Sequence, residues 1–263
     1  MRYWVVIPAA GAGRRFGGAL PKQHWPLGSG TVLEMALRPF LADARCAAIA
    51  LALDAQALGD RSLRARLPAK VTVVAGGAER ADSVLNGLAA LGTGADPAAA
   101  ESDWVLVHDA ARPCLSARDL EQLLQAGATQ PHGALLAAPV ADTLKRAAVD
   151  RQCAGTVERN GLWRALTPQM FRRGALESAL RAARASGRTP TDEAQAMEWQ
   201  GAAALLVEAL DGNIKITNRE DLAVAAAMLA SRASAAAAAP AALADVLMAP
   251  IAALAQGTGR DRI

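Results

Sequence analysis

The chain has 263 residues, and its 52% hydrophobic content is sufficient for the buried core of one large domain or two small ones. Its net charge is only +3, it has no clustered run of Lys or Arg, and 3% of its residues are aromatic, which argues against nucleic-acid binding. Outside the Ala-rich tail, no segment is long and apolar enough to span a membrane, and the apolar start is too short for a signal peptide.

Short apolar, β-branched runs alternate along the chain with longer helix-like segments, a pattern typical of a parallel sheet with crossover helices. Strands are predicted near Trp4–Ile7, Ala47–Leu53, Val71–Val74, Trp104–Val107, Ala134–Ala138 and Ala204–Val207. Helices are predicted at Val32–Leu41, Ser83–Leu91, Ala117–Ala128, Arg172–Ala185, Asp192–Gln200 and Arg219–Ala230. The expected fold class is α/β, with a Rossmann-like, mostly parallel sheet flanked by helices.

The first motif is a glycine-containing loop directly after the first predicted strand, Pro8-Ala9-Ala10-Gly11-Ala12-Gly13-Arg14-Arg15, followed by Pro21-Lys22. Its glycines let backbone N–H groups approach a polyphosphate. A dinucleotide fingerprint fits poorly because the third glycine comes one residue late, at Gly17, and a P-loop is excluded because no Gly-Lys-Ser/Thr follows. Arg15 and Lys22 are candidates to stabilise the charge that grows during nucleotidyl transfer.

Two further motifs follow predicted strands. Gly76-Gly77-Ala78-Glu79-Arg80-Ala81-Asp82-Ser83 is a strand–turn–helix segment that, beside the first loop, offers backbone contacts to a base or ribose. In Val107-His108-Asp109-Ala110-Ala111-Arg112-Pro113, the strand end directs Asp109 at the crevice, where a carboxylate suits Mg²⁺ bridging phosphates. For His108 we favour a hydrogen-bonded structural role over proton transfer.

Two segments depart from the alternating pattern. Residues 142–159 lack a helical stripe and have a plausible turn at Asp150-Arg151, which predicts a protruding β-hairpin arm or an ordinary surface hairpin. From about residue 230 the composition changes to Ala with Ser and Pro. We therefore predict one domain over residues 1–230 and an Ala-rich C-terminal extension over residues 231–263, in which Ala241–Leu254 is apolar enough for a docked helix.

The cysteines Cys46, Cys114 and Cys153 are odd in number and widely spaced, with no Cys-x-x-Cys pair and no neighbouring His. This pattern supports neither a disulfide framework nor a zinc site. It is consistent with the reducing cytoplasm, which is the expected location.

Taken together, the motifs resemble those of the 2-C-methyl-D-erythritol 4-phosphate cytidylyltransferases. The resemblance extends over about residues 4–229. It rests on the first loop with Pro21-Lys22-Gln23, and on Gly76-Gly77-x-x-Arg80-x-x-Ser83, Val107-His108-Asp109-Ala110-Ala111-Arg112-Pro113, Ala138-Pro139-Val140-x-Asp142-Thr143-x-Lys145, Arg159-Asn160-x-x-Trp163, Thr167-Pro168-Gln169, Thr191-Asp192-Glu193-Ala194 and Asp211-Gly212-Asn213-Ile214-Lys215-Ile216-Thr217.

The resemblance implies a nucleotidyltransferase fold and a reaction in which a phosphate oxygen of methylerythritol phosphate attacks the α-phosphorus of CTP and pyrophosphate leaves. It implies Mg²⁺ held by Asp109, catalytic charges on Arg15, Lys22 and Lys215, and a homodimer formed through the arm. The implied nucleotide-binding residues are Pro8, Ala9, Ala10, Gly11, Ala12, Gly13, Gly77, Ser83 and Ala110. The implied substrate-binding residues are Asp109, Thr143, Arg159, Thr167 and Lys215, with Thr143 and Arg159 reaching into the partner's site.

One residue within the motifs departs from the family's pattern, and three alternative functions stay open. Ala78 stands where some relatives carry a polar side chain, so only backbone contacts to the nucleotide are expected there. The alternatives are a ribitol 5-phosphate cytidylyltransferase, a nucleotide-binding regulator that does not catalyse and, more distantly, a dinucleotide oxidoreductase.

Overall fold

The computed structural model describes residues 1–11, 21–95 and 97–238. The helices are α1 Val32–Ala42, α2 Ala55–Gly59, α3 Arg61–Arg66, α4 Arg80–Thr93, α5 Ala117–Ala128, α6 Arg173–Ala185, α7 Glu193–Glu198 and α8 Glu220–Ala238. The strands are β1 Tyr3–Ala9, β2 Pro26–Leu27, β3 Gly30–Thr31, β4 Cys46–Leu53, β5 Val71–Ala75, β6 Trp104–Val107, β7 Ala134–Pro139, β8 Leu144–Ala147, β9 Cys153–Val157, β10 Trp163–Arg172 and β11 Leu205–Glu208.

Seven strands form the main sheet in the order β11-β7-β10-β6-β1-β4-β5. Neighbours pair in parallel except at β10, which is antiparallel to both β6 and β7. The predicted α/β class is confirmed, and each of the six predicted strands is present. Strand β10 was missed, because Pro168 and several polar side chains interrupt its apolar pattern, and the first residue of the helix predicted at Arg172–Ala185 is the last residue of this strand.

Helices cover both faces of the sheet because successive side chains of a strand point in opposite directions. On β1, Tyr3, Val5 and Ile7 pack with the apolar side of α1 and α5, whereas Trp4 and Val6 pack with α4 and α6. Every residue of β1 except Pro8 is buried. The central strand is thus fixed on both sides, and so is the start of the loop that follows it.

The predicted hairpin is present as the antiparallel pair of β8 and β9, a two-stranded sheet separate from the main one. Arg151 adopts a positive φ of 65° at its turn, as expected for the tight reversal predicted around Asp150. The neighbouring Val149 is fully exposed. The hairpin connects β7 to β10, so both ends of the arm join the main sheet.

The last helix, α8, continues without a break across the domain boundary predicted at residue 230 and extends to Ala238. Residues 239–263, which include the helix proposed at Ala241–Leu254, lie outside the described part of the chain. None of the helices that the structure describes is both long enough and apolar enough to cross a membrane.

Candidate active site

A crevice of about 220 Å³ lies at the carboxyl ends of β1, β5 and β6. The chain places β4 and β5 on one side of β1 and β6 on the other, and such a reversal of strand order is where open α/β sheets bind ligands. The crevice is lined by Pro8, Ala9, Ala10, Gly11, Lys22, Gln23, Gly77, Ala78, Glu79, Arg80, Ser83, Asp109, Ala110, Ala111 and Lys215. The three predicted motifs and the Lys215 segment therefore meet at one place.

The first loop forms one wall of this crevice. The buried Gln23 donates a hydrogen bond to the carbonyl oxygen of Ala9 at 2.9 Å, which joins the end of β1 to the Lys22 segment. Of the residues predicted for this loop, Pro8, Ala9, Ala10 and Gly11 line the crevice. Ala12, Gly13 and Arg15 belong to residues 12–20, which lie outside the described part of the chain.

The loop after β5 forms the opposite wall and is held close to the first. A Cβ atom added to Gly76 would lie 2.2 Å from the Cβ atom of Ala10, so only glycine allows this approach. The Gly77 N–H donates to the Ser83 hydroxyl oxygen at 3.0 Å, and that hydroxyl donates to the Glu79 carbonyl at 3.3 Å. Ser83 thus shapes the loop, and the exposed Ala78 offers only its backbone.

Asp109 lies among three cations at the end of β6. Lys215 Nζ is 2.8 Å from Asp109 Oδ2, Arg80 is 3.1 Å from Oδ1 and Arg112 Nε is 3.6 Å from Oδ2. Burial opposes ionisation, but Arg80 and Lys215 outweigh it and hold the pKa of Asp109 well below its usual range. Asp109 is therefore a carboxylate at neutral pH.

Behind Arg80 lies a second carboxylate, Glu193 on α7. The Arg80 guanidinium binds both Glu193 oxygens, at 2.5 and 3.0 Å, while its Nε contacts Asp109 Oδ1 at 3.2 Å. Burial raises the pKa of Glu193 although Arg80 opposes this, and the two carboxylates together raise the pKa of Arg80 against its own burial. Both residues belong to motifs recognised in the sequence. Their pairing could not be predicted, because they are 113 positions apart and no local pattern indicates the contact.

A chain of buried hydrogen bonds through His108 and Thr167 holds the backbone of Asp109. The Arg112 carbonyl can only accept, so His108 Nε2 carries the proton of their 3.0 Å bond and Nδ1 accepts the Thr167 hydroxyl proton, also at 3.0 Å. The Thr167 oxygen in turn accepts from the Asp109 N–H at 3.0 Å. Burial lowers the pKa of His108 to about 4. A fully buried, neutral His108 matches the structural role favoured from the sequence.

The segment that carries Lys215 is fastened to the motif after β6. Arg112 donates to the Asn213 carbonyl at 2.7 Å, Asn213 donates to the Thr167 carbonyl at 2.6 Å, and the Ile216 N–H donates to the Ala111 carbonyl at 2.8 Å. Lys22 donates to the Ile216 carbonyl at 2.8 Å. The two candidate catalytic lysines of the described chain are thus linked through one short segment.

A second cavity, of about 460 Å³, lies on the other side of Lys215. Arg112 and Arg164 also line it, together with the base of the arm at Ala138. Three cationic side chains therefore line this cavity, and no carboxylate is among the described residues that form its wall.

The predicted substrate residues Thr143 and Arg159 are not brought into the crevice within one chain. Both are exposed on the arm, and Arg159 donates to the Ala141 carbonyl. Neither is among the residues that line the crevice or the second cavity.

Comparisons with known proteins agree on one family. The family model for IspD, 2-C-methyl-D-erythritol 4-phosphate cytidylyltransferase, matches residues 3–231. The protein of that name from Acidithiobacillus ferrooxidans is 52% identical over 236 residues, which cover 88% of this chain and 98% of the relative. A solved 4-diphosphocytidyl-2C-methyl-D-erythritol synthase has a TM-score of 0.74 and 37% identity, covering 87% of this chain and 98% of that one. The corresponding enzyme of Francisella tularensis has a TM-score of 0.73 and 32% identity, covering 87% and 100%.

Proposed function

Because the chain belongs to the 2-C-methyl-D-erythritol 4-phosphate cytidylyltransferase family and transfers CMP from CTP to methylerythritol phosphate in isoprenoid biosynthesis, we propose that the crevice at β1, β5 and β6 is its active site. The observation that carries this proposal is the meeting of Lys22, Lys215 and Asp109 around a cavity with two glycine-containing walls. Backbone N–H groups and positioned cations are the groups that a reacting triphosphate requires.

CTP occupies this crevice, with its phosphates against the first loop. Pro8, Ala9, Ala10, Gly11, Ala12 and Gly13 contribute backbone contacts, and Gly77 and Ala110 do so from the facing loops. Ser83 acts through the loop shape that it fixes, because its hydroxyl bonds Gly77 and Glu79.

The transfer is a direct displacement without a covalent enzyme intermediate. A phosphate oxygen of methylerythritol phosphate forms a bond to the α-phosphorus of CTP, and the bond from that phosphorus to the pyrophosphate oxygen breaks. Lys22 and Lys215, together with Arg15, stabilise the negative charge on the reacting phosphate and the leaving pyrophosphate. Lys22 bonds the carbonyl of Ile216, the residue after Lys215, so the two lysines lie on connected segments at this site.

Asp109 is the proposed protein ligand of Mg²⁺. No three His, Cys, Asp or Glu side chains of the described residues form a group that could hold a metal ion. The ionised Asp109 carboxylate lines the crevice and would be the ligand for an ion that arrives with CTP, since Mg²⁺ commonly takes one carboxylate plus phosphates and water. Arg80, Lys215 and Arg112 contact its two oxygens, so the ion would replace part of these contacts. Held there, Mg²⁺ would neutralise charge on the triphosphate.

Methylerythritol phosphate is placed on the other side of Lys215, at the second cavity. The three cations that line this cavity favour a phosphate there. Asp109 lines the neighbouring crevice beside Lys215, from where it would accept a hydrogen bond from a polyol hydroxyl. Thr167 is 4% exposed and lines neither cavity, so its proposed contribution is to hold the backbone of Asp109, whose N–H it accepts at 3.0 Å. Thr143 and Arg159 complete this site from the arm of a second copy in a homodimer, for which their exposure on the arm is the support.

The cytoplasm is the proposed location. The support is chemical: Cys46, Cys114 and Cys153 are all free thiols, and Cys153 is exposed. A reducing compartment keeps such thiols unpaired.

The test is to incubate the purified chain with CTP, Mg²⁺ and either methylerythritol phosphate or ribitol 5-phosphate and to follow pyrophosphate release. We expect release with methylerythritol phosphate. Release with ribitol 5-phosphate alone would assign the other polyol, and CTP binding without any turnover would indicate a regulator.

A further inference from the structure

Glu193 is a buried carboxylate behind the active-site wall. Its side chain is 1% exposed, and it does not line the crevice itself. The start of α7 is fixed to β10 by Gln169, which donates to the Asp192 carboxylate at 3.0 Å and accepts from the Ala194 N–H at 2.8 Å. Glu193 lies between these two anchored residues, so it is a rigid attachment point.

Arg80, by contrast, faces the crevice. Its side chain is 30% exposed and lines the cavity wall, and its length would allow the guanidinium to reach a bound triphosphate if nothing held it. The bidentate bond to Glu193 and the contact with Asp109 occupy all three guanidinium nitrogens. Arg80 is therefore held on two carboxylates.

We propose that Glu193 is a positioning residue that holds Arg80 on Asp109 and keeps its guanidinium off the phosphates of CTP. The inference rests on the proposed assignment of the crevice as the CTP site. Through Arg80, Glu193 fixes one oxygen of Asp109, which leaves the other oxygen directed at Lys215.

The charges explain why this restraint matters. Around Asp109, three cations (Arg80, Arg112 and Lys215) are balanced by two carboxylates, so the cluster has one excess positive charge. Without the Glu193 charge the excess doubles, and Arg80 is held by Asp109 alone, so its guanidinium can turn to the triphosphate before reaction. Such ground-state binding lowers KM for CTP but does not raise kcat.

The first experiment compares wild type with Glu193→Gln, a change of nearly equal size that removes the charge. We expect kcat to fall by about tenfold or more, because Asp109 and Lys215 lose their fixed geometry, while KM for CTP falls severalfold. Glu198→Gln is the matched control, since Glu198 is exposed on the same helix. A Glu193→Gln enzyme with unchanged kcat, or with a raised KM for CTP, would overturn the proposal.

The second experiment asks whether Glu193 acts through Arg80. In an Arg80→Gln background, adding Glu193→Gln should change kcat and KM by less than about twofold, because the side chain that Glu193 positions is already gone. An effect as large as that in the wild-type background contradicts the proposal. Arg80→Gln leaves the Glu193 charge buried and unpaired, and if that variant unfolds, the double variant, which lacks the charge, is compared with Glu193→Gln instead. Its KM for CTP should then return toward the wild-type value, because no Arg80 remains to bind the triphosphate; a KM that stays low would contradict the proposal.

A third variant separates this inference from the assignment of the site. Asp109→Asn should lose most of its turnover if the crevice is the active site. If Asp109→Asn is inactive but Glu193→Gln behaves like wild type, only the role of Glu193 is wrong. If Asp109→Asn retains full activity, the site assignment itself has failed.

Discussion

At the scale of single residues, burial decides what a titratable side chain can do. His108 and Asp109 are neighbours at the end of one strand, yet burial keeps His108 neutral, whereas Arg80 and Lys215 keep Asp109 charged. The uncharged imidazole accepts the Thr167 proton, and the Thr167 oxygen then holds the backbone of Asp109. His108 thus contributes to the position of Asp109 without entering the crevice.

The lowered pKa of His108 predicts an acid-dependent loss of stability. Between the ordinary pKa of 6.5 and the folded-state value of about 4, the unfolded chain binds a proton that the folded chain excludes. The free energy of unfolding should therefore be unaffected by this group above pH 6.5 and should fall on acidification by up to about 1.4 kcal/mol per pH unit. In denaturant titrations of His108→Gln, the free energy of unfolding should depend less on pH between pH 4 and 6.5 than it does in the wild type.

His132→Gln is the control for that series, because His132 is exposed in the turn before β7. Its pH dependence should match that of the wild type. A His108→Gln variant with an undiminished slope between pH 4 and 6.5 would contradict the buried, neutral imidazole.

The sequence could predict the residues of the site whose signals are local. Lys22 follows a glycine-containing loop and Asp109 ends an apolar strand, and the structure places both at the crevice. Arg80 and Glu193 could not be assigned in the same way, because their partnership depends on α4 and α7 approaching across 113 positions of sequence. Lys215 required a family resemblance, since a lone lysine in a loop has no local feature that distinguishes it.

At the scale of elements, the crevice depends on how closely two loops approach. The loops after β1 and β5 meet at Ala10 and Gly76, where no Cβ atom fits on the second residue. This contact fixes the width of the crevice between the two loops. The glycine pair could be recognised in the sequence as a turn, but the need for glycine comes from the facing loop.

Gly76→Ala should therefore force the two loops apart. We expect the free energy of unfolding to fall by about 1–3 kcal/mol, as is usual for overpacking, and the affinity for CTP to fall with it. Calorimetric titration with CTP and chemical denaturation measure the two effects. Gly59→Ala is the matched control, because nothing lies within 4 Å of the added Cβ atom there. Wild-type CTP affinity in Gly76→Ala would contradict the close approach.

Beyond the predicted boundary at residue 230, the helix α8 contacts two segments next to the crevice. Arg232 donates to the Cys114 carbonyl at 2.9 Å and to the Asp211 carbonyl, so it joins the segment before Lys215 to the one after Asp109. The composition change at residue 230 gave no indication of this contact. An Ala-rich sequence can continue a helix, and a single arginine within it can anchor two loops.

Arg232→Ala should loosen the Lys215 segment. We expect a loss of about 1.5–3 kcal/mol of stability, the usual contribution of hydrogen bonds from a charged group, and a severalfold lower kcat. Added guanidinium should restore part of that kcat, which a general loss of stability would not allow. Arg181→Ala serves as control, because Arg181 is 65% exposed and bonds only Glu177 among the described residues. Unchanged kcat in Arg232→Ala would show that α8 does not support the site.

At the scale of the whole molecule, the parallel half of the sheet was predictable and the antiparallel insertion was only partly so. Strands β1, β4, β5 and β6 are apolar runs separated by helical segments, so their order and their common edge follow from general rules. The arm was predicted as a hairpin because residues 142–159 lack a helical stripe. The position of the arm between β7 and β10 was not predicted, because Pro168 interrupts the apolar pattern of β10 and that strand was missed.

The proposed exchange of arms can be tested by mixing two inactive variants. Arg159→Ala leaves the crevice intact but removes the arm's contribution, and Lys22→Ala does the reverse. In a mixed dimer, one site combines an intact crevice with an intact arm, so an equal mixture should recover about a quarter of wild-type activity after the subunits exchange. Each variant alone stays inactive. Failure to recover activity, with mixed dimers demonstrated, would contradict completion of the site by the arm of a second copy.

The most direct test of the active-site assignment is the kcat of Lys215→Ala, measured alongside its affinity for CTP. The account predicts that kcat falls about a hundred- to a thousandfold, as expected when a group that stabilises transition-state charge is removed, while CTP still binds. Lys70→Ala, which changes a lysine before β5 that does not line the crevice, should retain wild-type kcat. A Lys215→Ala enzyme that binds CTP and turns over at the wild-type rate would contradict the account.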